Sequence, residues 1–324
     1  MIRTALTLAA AVAAAASVQA LFARRDRRLL PPIGRVVDGL HVRTLGDRGP
    51  TVVFEAGLAA TSLNWSGVQP RVAARARTIS YDRAGLGWSP PRRGSRTLRR
   101  WTDDLHRLLR TLDATRPVVL VGHSFGTFVA RVYASRFPGD VAALVLIDPP
   151  VAEPLAQPSV ARRLQLWRAA FFSQLTGLCA SVGIVRLGLW GLLRRGPGNP
   201  GPVLGVHPTP RRIARELAKL PPAVLPALRA RWSEPRFFRE LASSILTMPA
   251  CAAEALRHPL PAGLPVLVIS AAHCDPAHLR AHAALATRHV IVEGSAHWVH
   301  LDRPEAVASA IIETALGSAA GRAG

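Results

Sequence analysis

The sequence has few cysteines and almost no lysine. Three cysteines occur in 324 residues, Cys179, Cys251 and Cys274, and this small odd number excludes a disulfide framework, so a hydrophobic core must supply the stability. Lysine occurs once, at Lys219, although the formal net charge at pH 7 is +21. The charge therefore comes from arginines scattered among apolar residues. No zinc-finger, basic-zipper or RNA-recognition signature accompanies them, which argues against nucleic acid as a partner.

Acidic residues are absent from the start of the chain, where Arg3 is followed by an uncharged, alanine-rich run over residues 4–22. Arginines at 24, 25, 27 and 28 come directly after it. About 18 apolar residues can just span a bilayer, and basic residues after the run favour a retained anchor with that side cytoplasmic. We therefore predict that residues 1–28 are a membrane anchor. The alternative is a cleaved signal peptide, with export of the protein and with Val18 and Ala20 before the cut.

Apolar strand-like runs alternate with helical patterns along most of the chain, for example strands at 118–121 and 141–147 and helices at 97–113 and 124–137. This alternation predicts an α/β protein with a mostly parallel, doubly wound sheet. Residues 33–150 and 259–318 form its predicted core.

No strand pattern is visible between these two parts, so we predict that residues 151–258 are an inserted helical cap that lines an apolar pocket. The alternative is that they are further helices of the core. Helices are expected at 213–220 and at 227–248, with a break at Pro235. The aromatic-rich stretch 164–193 fits a buried core of the cap better than a membrane surface, the second interpretation.

The segment GHSFG at 122–126 ends an apolar strand and begins a helix. A strand that turns into a helix through Gly-x-Ser-x-Gly forces the serine into a cramped backbone conformation and lifts its hydroxyl clear of the sheet. Ser124 is thus the candidate nucleophile. A serine needs a base to accept its proton and a third group to orient that base.

His297, in the loop after the last strand, is the predicted base, and His300 is its rival. Two aspartates follow strand ends and are candidates for the acid, Asp275 and Asp148. Chain order and strand position favour Asp275, and Asp148 is the alternative. An oxyanion hole requires two backbone N–H groups, for which Phe125 and Leu58 are the candidates.

Three motifs together resemble the lipase and esterase branch of the α/β-hydrolase fold superfamily: GHSFG at 122–126, YDRAGLGWS at 81–89 and GSAHW at 294–298. The resemblance covers about residues 34–316 outside the insertion. It implies Ser124 as nucleophile, His297 as base, Phe125 as an oxyanion donor and no cofactor. Members often have His-Gly in the first oxyanion loop, whereas this chain has Ala56-Gly57. Asp82 and Arg83 are expected to brace the loop beside the site.

The expected function is hydrolysis of an ester or thioester with an apolar portion through an acyl-enzyme. Cofactor-free perhydrolase activity, carbon–carbon bond hydrolysis and a non-catalytic binding protein on the same scaffold are the alternatives. Cys274, His278 and His282 have helical spacing that would allow a metal site, but chance accounts for this spacing better in a chain with 11 histidines. No metal is therefore expected.

Overall fold

A computed structural model describes residues 2–92, 94, 96–194, 216 and 219–320. An eight-stranded sheet lies at its centre, with the strand order β1-β2-β4-β3-β5-β6-β7-β8. Strands β1 and β2 run antiparallel to their neighbours, and the others pair in parallel. The predicted fold class is thus confirmed. The strands are β1 (Arg35–Val37), β2 (Leu40–Leu45), β3 (Thr51–Glu55), β4 (Arg77–Tyr81), β5 (Val118–His123), β6 (Val141–Ile147), β7 (Val266–Ala271) and β8 (Arg288–Val292).

Helices cover both faces of the sheet, which explains the continuous apolar strands. In β5, Val118 and Leu120 belong to one hydrophobic cluster, whereas Val119 and Val121 belong to a second cluster. Because successive side chains point to opposite faces, a strand covered on both sides needs apolar residues at every position. Apart from the N-terminal helix α1, the helices outside the insertion are α2 (Gln69–Ala73), α3 (Leu98–Thr111), α4 (Gly126–Arg136), α10 (Pro276–Leu285), α11 (Val299–Asp302) and α12 (Pro304–Ala320). Two 3-10 turns lie at Ser62–Trp65 and Pro138–Asp140.

All described elements between β6 and β7 are helical. They are α5 (Ala152–Ala156), α6 (Val160–Ser181), α7 (Ile184–Arg194), a 3-10 turn (Pro222–Val224), α8 (Leu225–Trp232) and α9 (Pro235–Arg257). Pro235 is in the first turn of α9, which agrees with the break expected there. The helix expected at 213–220 lies almost wholly outside the described residues.

One expectation about this insertion is wrong. The aromatic-rich stretch was expected to form a buried core, but Trp167 and Phe171 are both 65% exposed. Small residues of α6, among them Ala170 and Gly177, are buried instead. The helix thus packs by its small side chains and leaves its large ones outside.

The first helix, α1 (Ile2–Leu29), precedes the sheet. Its most apolar window of 18 residues has a mean hydropathy of 1.9 and is 6% buried. In the described part of the chain, α1 is the one single helix whose length and composition would allow it to cross a membrane. A signal sequence would have the same properties, so both interpretations of this segment stand.

Candidate active site

The turn between β5 and α4 holds Ser124 in a conformation that side chains rarely adopt, with φ of 50°. A Cβ atom on Gly122 would lie 2.9 Å from the carbonyl oxygen of Gly126. A Cβ atom on Gly126 would lie 2.6 Å from the carbonyl oxygen of Ala56. Only glycine fits these two positions. The N–H of Ser124 donates to the carbonyl oxygen of Ile147 at 2.9 Å, so the strained turn is fastened to β6.

Ser124, His297 and Asp148 form a continuous chain of hydrogen bonds. Ser124 Oγ lies 3.0 Å from His297 Nε2, and His297 Nδ1 lies 2.6 Å from Asp148 Oδ2. His297 is in the loop between β8 and α11, and Asp148 directly follows β6 with φ of 44°. The carboxyl ends of parallel strands therefore bring together residues from distant parts of the sequence. In this arrangement an imidazole can accept a proton from a serine hydroxyl while a carboxylate orients it.

The carboxylate of Asp148 is buried and well supplied with donors. Its Oδ1 accepts from the backbone N–H of Ala271 at 3.2 Å and from the thiol of Cys274 at 3.1 Å. Burial alone would raise the pKa of Asp148, but hydrogen bonds from His297, Cys274 and Ala271, with the attraction of His297, lower this pKa to about 2. Asp148 is therefore ionised at neutral pH and accepts the Nδ1 proton of His297.

Asp275, the acid favoured from the sequence, is not the partner of His297. Its side chain is 57% exposed and caps α10, where Oδ1 accepts from the N–H groups of Ala277 at 2.9 Å and His278 at 3.0 Å. Its other oxygen lies 2.5 Å from His278 Nδ1. The geometry thus corrects the preference for Asp275 and favours the alternative, Asp148. The physical reason is local, since Asp followed by Pro at the first helical position is a strong helix start.

His300, the rival to His297, is buried and lies apart from the hydrogen-bonded chain. Its ring is 4.7 Å from that of Trp65 and 4.3 Å from that of His123. Burial, with the neighbouring His297 and Lys219, lowers the pKa of His300 to about 3, so its ring is neutral. It packs beneath the loop that carries His297.

Leu58 and Phe125, whose backbone N–H groups are the predicted oxyanion donors, both line the same cavity as Ser124. Within the described residues, neither of these two N–H groups has a hydrogen-bond acceptor. The helix α4 begins immediately after Phe125, so its N-terminus adds partial positive charge at this place. Two free donors beside a serine hydroxyl can stabilise a negative oxygen.

Arg83 holds both of these segments. Its guanidinium forms a buried ion pair with Glu55 and donates to the carbonyl oxygens of Ala56, at 2.6 Å, and of Gly57. The same group lies 5.5 Å from the centre of the Phe125 ring. These contacts are of the bracing kind expected from the sequence. They also fix the backbone that presents Leu58, a role that the sequence pattern did not indicate.

His123 lies within the serine motif, but the motif pattern assigns no role to this position. Its Nε2 donates to the carbonyl oxygen of His297 at 2.9 Å, which connects the turn at Ser124 to the histidine loop. Burial, with repulsion from His300 and His297, holds the pKa of His123 well below its usual value. The ring is thus neutral at neutral pH, and its hydrogen bond to a carbonyl oxygen identifies the tautomer with the proton on Nε2. His123 occupies the first variable position of Gly-x-Ser-x-Gly, and this position is the one sequence signal that it carries.

The cavity beside Ser124 has a volume of about 230 Å³ and a mostly apolar wall. Phe128 from α4 and Met248 from α9 contribute side chains to this wall, so the insertion forms part of the site. Its described lining is completed by Gly57, Leu58, Ala60, Asn64, His123, Phe125, Pro150, His297 and Trp298. An apolar group attached to a carbonyl would fit this space.

Asp148, Cys274 and His282 have potential ligand atoms within 4.8 Å of one another. These atoms already have partners. His282 Nε2 donates to the carbonyl oxygen of Pro149 at 2.7 Å, and Nδ1 lies 2.7 Å from Ser270 Oγ. A metal ion would have to break these hydrogen bonds and compete with His297 for Asp148. The arrangement therefore fits a hydrogen-bonded support better than a metal centre.

Comparisons with known proteins agree with this architecture. A family model described as the α/β-hydrolase fold matches residues 50–183. Uncharacterized protein YqjL of Bacillus subtilis is 32% identical over 120 residues, which are 36% of this chain and 47% of that protein. The 2-(acetamidomethylene)succinate hydrolase of Mesorhizobium japonicum is 34% identical over 116 residues, 36% of this chain and 40% of that protein. The matched parts thus span less than half the length of these two relatives.

Solved structures match over a larger part of the chain. A thermophilic esterase from Thermogutta terrifontis has a TM-score of 0.61 at 19% identity, covering 86% of this chain and 93% of that chain. The enol-lactonase of Burkholderia xenovorans LB400 has a TM-score of 0.60 at 22% identity, covering 86% and 98%. A putative epoxide hydrolase from Pseudomonas aeruginosa has a TM-score of 0.64 at 20% identity, covering 86% and 92%. At this level of identity they establish the fold alone. The chain therefore has the α/β-hydrolase fold, and its residues 50–183 are similar to the family that carries this name.

Proposed function

We propose that the protein is a serine hydrolase that cleaves carboxylic ester or thioester bonds of apolar small molecules through an acyl-enzyme. The proposal rests on the hydrogen-bonded chain from Ser124 through His297 to Asp148. Ser124 and His297 line an apolar cavity together with Leu58 and Phe125, whose backbone N–H groups have no acceptor among the described residues. These are the parts that acyl transfer needs: a nucleophile, a base with its orienting carboxylate, and donors for an oxyanion.

In the first half of the reaction, Ser124 Oγ attacks the carbonyl carbon and its proton passes to His297 Nε2. Asp148 stabilises the imidazolium that forms through its bond to Nδ1. The negative charge on the carbonyl oxygen is accepted by the N–H groups of Phe125 and Leu58. The carbon–oxygen or carbon–sulfur bond to the leaving group then breaks, and the leaving group takes the proton from His297.

In the second half, a water molecule gives a proton to His297 Nε2 and its oxygen attacks the acyl carbon. The bond between that carbon and Ser124 Oγ breaks, and His297 returns the proton to the serine oxygen. The products are a carboxylic acid and the free enzyme. No cofactor takes part in this scheme.

The cavity limits the acyl group. A volume of about 230 Å³ corresponds to roughly seven or eight groups the size of a water molecule. We expect p-nitrophenyl esters of short and medium straight-chain acids to be hydrolysed faster than the palmitate ester.

The alternatives on this fold differ in what they require. Serine at position 124 argues against an epoxide hydrolase, since the superfamily uses aspartate as nucleophile for that reaction. Perhydrolase and carbon–carbon bond hydrolase activities would use the same three side chains, so the ester panel must be run beside hydrogen peroxide and β-diketone substrates. A non-catalytic binding protein requires none of the three side chains Ser124, His297 and Asp148.

A fluorophosphonate probe tests the proposal directly, because it phosphonylates only an activated serine. Wild-type protein should be labelled, and Ser124→Ala should abolish both labelling and ester hydrolysis. Ser295→Ala is the matched control, since this serine is close to His297 in sequence but donates its hydroxyl to the carbonyl oxygen of Val292. Its labelling should persist. Folded wild-type protein that is neither labelled nor active would refute the enzyme and favour the binding protein.

A further inference from the structure

The helix α6 presents a stripe of large apolar side chains to the outside. Its members recur every three or four residues and are between 45% and 85% exposed: Val160, Leu164, Trp167, Phe171, Leu175 and Leu178. Residues at this spacing share one face of a helix. A monomeric soluble protein rarely exposes so many large apolar residues together, so the stripe needs a partner.

The opposite face of α6 is composed of small residues that contact α9. Ser173 Oγ donates to the carbonyl oxygen of Phe238 at 2.8 Å, and a Cβ atom on Gly177 would lie 3.3 Å from the Cβ atom of Phe238. Close packing against α9 therefore fixes the rotation of α6. The helix cannot turn its apolar stripe inward without losing these contacts.

The apolar surface continues beyond α6. Ile184 and Leu187 in the first turns of α7 are 58% and 70% exposed. The pair formed by α6 and the part of α7 up to Gly191 is as apolar as a membrane span but bends by 93°. A straight transmembrane helix is thus excluded for this pair, whereas two helices lying along a membrane surface are compatible with the bend.

The candidate anchor α1 is attached beside this surface. Gln19 is buried, and its Nε2 donates to the carbonyl oxygen of Ser233 at 3.1 Å. Arg186 Nε in α7 donates to Gln19 Oε1 at 2.8 Å, and Arg186 Nη1 lies 2.5 Å from an oxygen of Asp26. Residues 2–14 of α1 are all exposed, so they extend clear of the remaining protein.

These contacts determine how deep the helical insertion, residues 151–258, would lie in a membrane that α1 enters. Gln19 precedes Arg24, the first charged residue after the apolar run, by five positions, which is about 8 Å along a helix. If the run lies in lipid, the part of the insertion that contacts Gln19 lies about that far inside the charged boundary. Amphipathic helices at membrane surfaces bury their apolar faces to about 5–10 Å, so the two depths agree.

The charges around the stripe also suit a lipid surface. The sequence has no acidic residue between Glu153 and Glu216, and helical spacing puts Arg163 and Arg168 of α6 on either side of the stripe. Basic side chains beside an apolar face attract anionic headgroups.

We propose that the apolar face of α6 and the first turns of α7 insert into the interfacial region of a lipid bilayer beside α1. This goes beyond the proposed hydrolase activity and does not depend on it. One structural consequence concerns the active site: α9, which packs on the other face of α6, contributes Met248 to the wall of the cavity. The cavity is thus one helix away from the proposed lipid contact.

The test uses the full chain reconstituted in liposomes of phosphatidylcholine and phosphatidylglycerol, with bromine on the acyl chains as a quencher. Leu175→Trp adds a fluorophore to the stripe, and Ile291→Trp adds one on β8. The two positions are equally exposed, at 45%, so they form a matched pair. Helix α1 contains no tryptophan, so its own insertion contributes no signal.

We expect the added fluorescence of Leu175→Trp to be quenched by the bromolipid and shielded from aqueous iodide, and that of Ile291→Trp to show the reverse. Quenching of Leu175→Trp by iodide alone would overturn the proposal, since the face would then lie in water. Shielding from both quenchers, together with cross-linked dimers, would also overturn it, because a second copy would cover the face. Leu164→Trp, at 59% exposure, replaces Leu175→Trp if that variant does not fold.

Discussion

Replacing Asp148 by asparagine should disable the site by changing the tautomer of His297. In the wild type, Oδ1 of Asp148 accepts from the N–H of Ala271 and the thiol of Cys274, and Oδ2 accepts from His297 Nδ1. An asparagine keeps its carbonyl oxygen toward the two donors and therefore turns its NH₂ group toward His297. Two donors cannot bond to each other, so Nδ1 must lose its proton and Nε2 must carry one. A protonated Nε2 cannot accept the proton of Ser124.

The expected loss is large because the base is lost while the nucleophile and the oxyanion donors stay in place. A wrong histidine tautomer in a Ser-His-Asp arrangement lowers kcat by about 10⁴, which equals roughly 5.5 kcal/mol of transition-state stabilisation. The KM should change little, because Asp148 does not line the cavity beside Ser124. The stability of the fold should decrease by a smaller amount, since both contacts of Oδ1 survive and the NH₂ group of asparagine can still donate to Nδ1 of His297.

The assay is hydrolysis of p-nitrophenyl butanoate, with circular dichroism to confirm folding. Asp275→Asn is the control, because asparagine caps a helix as well as aspartate does and its exposed pair with His278 contributes little. It should keep kcat/KM within about twofold of wild type. The reasoning is refuted if Asp275→Asn loses activity by a factor of 100 or more while Asp148→Asn stays within tenfold of wild type.

Three further predictions concern the surroundings of the site. Gly126→Ala should destabilise the fold by about 3 kcal/mol in urea unfolding, since its Cβ atom would clash with the carbonyl oxygens of Glu55 and Ala56 at the end of β3. Gly139→Ala should be neutral, because a Cβ atom there would have no neighbour within 4 Å. Equal effects of the two substitutions would contradict the crowding argument. Arg83→Lys keeps the charge opposite Glu55, but one ammonium group cannot reach the oxygens of Glu55, Ala56 and Gly57 at once. The kcat should therefore fall about tenfold with KM unchanged. A change in KM alone would contradict the role of Arg83 in positioning the oxyanion loop. The pKa of Asp148 is about 2 against an ordinary 3.8, so its ionised form stabilises the fold above pH 3.8 and this contribution is lost as the pH falls through 2. The urea midpoint should therefore fall more steeply between pH 3.8 and pH 2 for wild type than for Asp148→Asn.

Local patterns were sufficient to predict the sheet and its flanking helices. The strand predicted at 141–147 is β6, Val141–Ile147, and the helix predicted at 97–113 is α3, Leu98–Thr111. These elements combine long apolar runs with clear end signals, such as Thr97, whose side chain accepts from the N–H of Arg100. The serine turn was equally visible, because its two glycines are required by contacts within a few residues and one neighbouring loop.

The acid could not be chosen on such grounds. Asp148 and Asp275 both follow buried strands, and either strand end reaches the same edge of the sheet. The distinction depends on the conformation of the next few residues. Asp148 is held with φ of 44° directly after β6, whereas the chain after β7 continues to residue 275 before α10 begins. Pro276 then commits Asp275 to the helix N-terminus.

The position of the aromatic stretch was mistaken for a related reason. Hydropathy shows that α6 is apolar but does not show which of its faces meets the protein. The useful signal was the series of small residues at 170, 173, 177 and 180, whose three- and four-residue spacing marks a second face on which another helix can approach closely. When small residues occupy the packed face, the large apolar residues between them must face outward. A sequence with both series on one helix therefore predicts contact with a second apolar surface, and in this chain the position of α1 is the reason for proposing that this surface is lipid.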